Sequence, residues 1–226
     1  MNILSNLFSY LEDALYVIPI ILISLTFHEY AHGFVAYKLG DPTAKEEGRL
    51  TFNPLKHIDP LGFLIMIILR FGWAKPVPVN PMYFKNPRKG MLFTAAAGPV
   101  SNLLLAFVGS FFALFFFYAQ LIENSEVLSI LYTFFLLFSF LNLGLAVFNL
   151  IPVYPLDGSR ILGYFMPGRF NDFFIRYGNY IYIAFFVLVL ATDYVSNAIY
   201  FVQSNLFSFL ATVWQYPAYT LANIIF

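Results

Sequence analysis

The chain contains no cysteine and little charge: of its 226 residues only 11% are Asp, Glu, Lys or Arg. Without thiols there are no disulfides, no thiolate metal ligands and no cysteine nucleophile, so any metal must be held by His and carboxylate. Soluble domains carry about 25% charged residues. The scarcity here, beside 60% hydrophobic residues, excludes an ordinary soluble domain and indicates an integral membrane protein. Twelve basic and twelve acidic residues cancel, so net charge gives no reason to expect nucleic acid as a partner. Met1 to Asp13 has no Lys or Arg and carries Glu12 and Asp13. It therefore lacks the basic region that opens a cleaved signal peptide, and the first hydrophobic span is expected to be retained.

Histidine is scarce too, and two of the three stand in His28-Glu29-Tyr30-Ala31-His32, inside an apolar run from Ala14 to Leu39. That run is long enough to cross a bilayer as a helix. Residues four apart lie on one helix face, so both imidazoles can reach one metal ion while Glu29 points toward the water beside it. A lone His on an apolar helix is more often a hydrogen-bonded core residue. Three ionisable groups within little more than one turn of a membrane helix are costly and persist mainly for function.

After this span, Gly40-Asp41-Pro42-Thr43 stops the helix and a polar stretch follows to Asp59, in which Arg49-Leu50-Thr51-Phe52 reads as a short strand. Leu61 to Leu69 is apolar but too short to cross, and predicts a re-entrant or interfacial segment. Lys75 to Lys89, with four prolines, reads as an extended loop. Gly90 to Ile122 and Val127 to Ile151 are further spans, Tyr177 to Thr192 another, and the charge-free aromatic tail from Tyr194 to Phe226 either crosses or lies at the interface. The expected fold is an all-α polytopic membrane bundle of about four to six transmembrane helices, with a re-entrant segment and a short strand region on the cytoplasmic side. No internal repeat or domain boundary is visible, which predicts one membrane-embedded domain over residues 1–226.

The basic residues after the first and third spans place those loops in the cytoplasm by the positive-inside rule. His28 and His32 then lie roughly 10 Å below the cytoplasmic boundary. Catalytic zinc usually takes three protein ligands and leaves a fourth position for water. His57 and several carboxylates are available for the third. Asp157 has the best case, because it follows a proline-broken span returning to the same side as His32, although an Asp-Gly turn alone is a common membrane-end cap.

Taken in order, His28-Glu29-Tyr30-Ala31-His32, Gly98-Pro99-Val100-Ser101-Asn102, and Asn149 through Leu156-Asp157-Gly158 resemble the site-2 protease family of intramembrane zinc proteases. The likeness runs from Ala14 to Arg160. It implies that His28, His32 and Asp157 bind zinc, that Glu29 is general base and acid, and that Asn149 and Asn102 lie near substrate. It further implies hydrolysis of transmembrane protein substrates in the cell membrane, at a site opening toward the cytoplasm. No stretch is long or polar enough for a PDZ domain or a nucleotide-binding tail, so the chain resembles the compact prokaryotic members. Two other classes compete: a metal transporter, which would spread polar residues along several helices, and a pseudoprotease that binds helices without cutting them.

Overall fold

The computed structural model describes residues 3–62, 65, 74–166 and 168–226, with side chains described from Ala14 onward except in 168–175. Its first helix, α1 (Ile3–Lys38), contains the candidate span Ala14–Lys38. Gly40 ends it with φ 109°, a left-handed turn that favours glycine. A one-turn helix, α2 (Thr43–Glu46), follows. The buried Asp41 carboxylate holds this corner: Oδ1 accepts from the Thr43 backbone and Oδ2 from Asn80 N–H at 2.7 Å.

Residues 49–52, expected as a strand, are irregular, with bends at 50–52. The backbone groups a strand partner would use are committed elsewhere: Arg49 N–H closes onto Ala44 O, and Thr51 O accepts from His57 Nε2 at 2.7 Å. Among the described residues the single β feature is an antiparallel bridge between Ile58 and Ala74, with Lys75 N–H donating to His57 O. Most of the expected re-entrant run Leu61 to Leu69 lies outside the described residues.

The proline-rich loop is shorter than its composition predicts. Pro81–Tyr83 forms a 3-10 turn capped by Asn80, and the long helix α3 (Pro87–Ile122) starts inside the basic stretch. Asn86 caps it by accepting from Lys89 N–H, and Pro87 occupies the first helical position, where its missing N–H costs nothing. A hairpin leads into α4 (Glu126–Asn149), after which the prolines break the chain before the short amphipathic helix α5 (Asp157–Phe165). Then come α6 (Gly168–Ala191) and α7 (Tyr194–Ile225).

Among the described residues three helices are long and apolar enough to cross a membrane, namely those at Ala14–Lys38, Pro87–Ile122 and Glu126–Asn149. A fourth crossing arises if α6 from Arg176 and α7, bent by 81°, count as one broken span. The fold is helical as expected, and the three or four candidate crossings among the described residues fall below or just reach the expected four to six. The aromatic tail is helical throughout and packs along α3 and α4: Trp214 Nε1 donates to Phe107 O at 2.9 Å, and the Gln203 amide donates to Phe140 O.

Candidate metal centre

Three polar ligand atoms meet where α1, α3 and α5 converge. His28 Nε2 and His32 Nε2 are 3.0 Å apart, and Asp157 Oδ2 is 3.3 Å from the first and 3.2 Å from the second. All three residues are buried. Atoms bound about 2.0–2.1 Å from a tetrahedral ion stand roughly 3.3–3.4 Å apart, so this spacing fits a single small cation.

The protons of the two rings can be assigned from their other neighbours. His28 Nδ1 is 2.6 Å from Asn102 Oδ1, and that oxygen is identified because the Asn102 amide nitrogen donates to Asn142 Oδ1 at 2.8 Å. His32 Nδ1 is 2.7 Å from the Thr94 carbonyl. Both partners only accept, so both Nδ1 atoms carry the proton, and each neutral ring presents a bare Nε2 lone pair to the centre. Asp157 Oδ2 faces the same point with no hydrogen-bond partner. Three electron pairs aimed at one buried spot repel each other unless a positive charge, proton or metal, lies between them. In the protonated arrangement, burial raises the Asp157 pKa and the adjacent His28 and His32 outweigh it, so its carboxyl is held below the usual carboxylate range.

The helices are shaped to permit this approach. Gly98 of α3 sits against the rings: a Cβ there would overlap His32 Nε2 and both His28 Cε1 and Nε2. Pro99 removes one hydrogen bond from the same turn. Gly158, the first residue after Asp157, lies on the end of α4, where a Cβ would overlap the carbonyls of Leu150 and Ile151.

Behind His28 runs a polar chain through three helices. Asn102 also approaches Ser24 O at 3.4 Å, and the Asn142 amide donates to Ser24 Oγ at 2.9 Å and to Phe138 O. Ser24, Asn102 and Asn142 are all 0% exposed. Asn102, expected near substrate, therefore has no surface to offer one; its amide is spent on orienting His28. Asn142 and Ser24 were not legible as site residues, though an Asn in the middle of an apolar span is the signal that could have flagged the first.

Glu29 is buried beside the cluster and outside the ligand triplet, and its Oε2 accepts from Val77 N–H at 2.8 Å. Val77 belongs to an extended strap over α1, pinned further by Arg49, which donates to Lys75 O at 2.7 Å and Pro76 O at 3.3 Å. Asn149 is half-buried, and its amide bonds back to Leu145 O rather than to the cluster. His57 is fully buried in the loop, bonded to Thr51 O, and is not part of the triplet.

A buried His-His-Asp cluster with an adjacent glutamate, set among long apolar helices, could hold a metal ion. Residues 118–191 match the model of peptidase family M50, a stretch that includes Asp157 but not the helix histidines. "Putative zinc metalloprotease YwhC" of Bacillus subtilis is 45% identical over 174 residues, covering 76% of this chain and 79% of that protein. "Putative zinc metalloprotease MJ0611" of Methanocaldococcus jannaschii is 33% identical over 162 residues, covering 69% and 75%. "Zinc metalloprotease MJ0392" of the same archaeon is 29% identical over 143 residues, covering 63% of this chain and 32% of that one. No solved structure matches. The chain belongs to peptidase family M50.

Proposed function

We propose that this protein is an intramembrane zinc endopeptidase, a single membrane-embedded domain that hydrolyses peptide bonds in or near the transmembrane segments of other membrane proteins. The observation that carries the reading is the convergence of two proton-free imidazole nitrogens and an orphaned carboxylate oxygen beside a buried glutamate. Three protein ligands with the fourth position open is the arrangement of catalytic rather than structural zinc. Zinc held there would lower the pKa of a bound water and polarise the scissile carbonyl.

The chain's own residues supply the rest. Glu29 takes a proton from the attacking water and returns it to the leaving amine. Val77 N–H holds one carboxylate oxygen of Glu29, which fixes the side chain without occupying the other oxygen. His28 and His32 are kept in one tautomer by Asn102 and Thr94, which directs both Nε2 lone pairs at the position zinc would take. A substrate helix must unwind locally to expose its carbonyl, since helical carbonyls are otherwise hydrogen-bonded. The basic loops at the Lys38 end of α1 favour a site opening toward the cytoplasm.

The test uses the division of labour between Glu29 and Asp157. Glu29→Gln retains size and the bond to Val77 but cannot take a proton, so zinc content should be unchanged while cleavage of a reporter transmembrane peptide falls about 10²- to 10⁴-fold. Asp157→Ala should lose zinc as well as activity. Wild-type protein that binds zinc, cuts no peptide from a broad panel, and moves zinc into vesicles in a Glu29-dependent way would be a transporter instead.

A further inference from the structure

A concavity whose described lining includes none of the three ligands lies between the start of α3, α5 and α6. Its volume is about 570 Å³, within the range of small-molecule sites. Two arginines line it, Arg88 from α3 and Arg160 from α5, with Ser159, Asn179, Tyr164 and Met91, and no carboxylate is among its described lining residues.

The two arginines are differently engaged. Arg88 uses Nη2 to cap the end of α5, donating to Tyr164 O and Met166 O at 3.0 Å each, which leaves its other N–H groups uncommitted. Arg160 has no hydrogen-bond or ion-pair partner among the described residues. An exposed arginine in water needs no explanation by itself. Two guanidinium groups facing one hollow repel, however, and an anion between them removes that repulsion while Ser159 and Asn179 offer neutral donors.

Position in the membrane narrows the anion. At 1.5 Å per residue the 36-residue α3 is about 54 Å long against a hydrocarbon core of roughly 30 Å. Gly98 of this helix packs on the histidines, roughly 10 Å below the cytoplasmic boundary, and Arg88 is ten residues or about 15 Å nearer that boundary, which puts the first turn near headgroup level. Arg88 is the second residue of that helix, with Lys85 and Lys89 exposed around it, while Met91 begins its apolar part. Tyr164, under the Arg88 guanidinium at 6.0 Å, is the type of residue that sits at this boundary.

We propose that this hollow binds the phosphate of an anionic phospholipid headgroup, with the acyl chains leaving past Met91 into the bilayer. Basic pockets between transmembrane helices recognise lipid phosphates in this manner. Because α5 carries both Asp157 and Arg160, an occupied hollow ties lipid composition to the helix that supplies the third ligand.

Binding can be read without any peptidase assay. Detergent-purified protein carrying bound lipid is compared by native mass spectrometry after exchange with phosphatidylglycerol and phosphatidylcholine mixtures, and by thermal unfolding in nanodiscs of either lipid. Wild-type protein should retain phosphatidylglycerol preferentially and unfold at higher temperature in its presence. Arg160→Gln should lower that preference about five-fold, while unfolding like wild type in phosphatidylcholine alone, since Arg160 has no partner to lose among the described residues. Arg160→Lys should be intermediate, and the exposed loop variant Lys56→Gln should match wild type. An unchanged preference in Arg160→Gln, or an equal drop in Lys56→Gln, overturns the proposal. So does a matching stabilisation by inorganic phosphate, which makes the hollow a soluble-anion site, or Arg160-dependent binding of an acidic peptide with no response to phosphatidylglycerol, which assigns it to substrate.

Discussion

At His28 the atom that decides the chemistry is Nδ1, on the far side of the ring from the centre. Asn102 Oδ1 keeps the proton there, and Asn142 and Ser24 keep Asn102 from turning its amide around. Partners that fix the tautomer of a metal-binding His typically contribute 10- to 100-fold in metal affinity. Asn102→Leu, similar in volume and unable to accept, should weaken zinc binding by about that factor in a competitive chelator titration. Asn142→Leu, which acts only through Asn102, should weaken it less, and no change in either variant would reduce the chain to packing. Gly98 is the sterner test. Its absent side chain makes room for two rings that are anchored at Nδ1 and cannot retreat, so Gly98→Ala should lose zinc although it adds one methyl group.

At the scale of elements, α5 brings Asp157 to the centre because Gly158 lets it rest directly on the carbonyls of Leu150 and Ile151, just past the end of α4. Backbone carbonyls cannot rotate aside as a side chain can. Gly158→Ala should therefore displace α5 and lower zinc content, whereas Gly178→Ala, where a Cβ meets Tyr154 at an ordinary 3.5 Å, should leave it unchanged. Metal analysis of the two purified variants separates a positional effect from a general loss of helix stability. The elements differ in how legible they were. His28, Glu29 and His32 follow from helical spacing within one segment. Asp157 could be reached only by adding the broken helix before it to the parity of the spans. Asn102 was visible as a residue but not in its role, because that role depends on how close Gly98 allows α3 to come to α1. The bends at residues 50–52 and the helical start at Pro87 differ from expectation for separate reasons: a loop bond from His57 takes Thr51 O in one case, and in the other Asn86 and Pro87 are a local helix start, cap and first residue, within a proline-rich run.

Across the whole molecule, the placement of the ligands on one side of the membrane depends on the segment between α1 and α3. Its two ends are held together: Ile58 bridges Ala74, and Lys75 N–H donates to His57 O. Downstream of that junction, Val77 is tied to Glu29 and Asn80 to Asp41, so the strap returns to the Lys38 end of α1 before α3 begins. Ends that meet in this way, at Ile58 and Ala74, lie on one side of the membrane. It follows that α3 and α4 form one excursion to the far side and back, which delivers Asp157 to the same side as His32. Cysteines introduced singly at Lys45 and Lys85, both exposed and in a chain with no thiol of its own, should behave alike toward an impermeant thiol reagent. Neither should react in intact cells, and both should react in inverted vesicles, if that shared side is the cytoplasm as the basic loops indicate. Reaction of one without the other would make the segment a true crossing and leave the cytoplasmic assignment of the site without support. Reaction of both in intact cells would keep the topology and reverse its orientation.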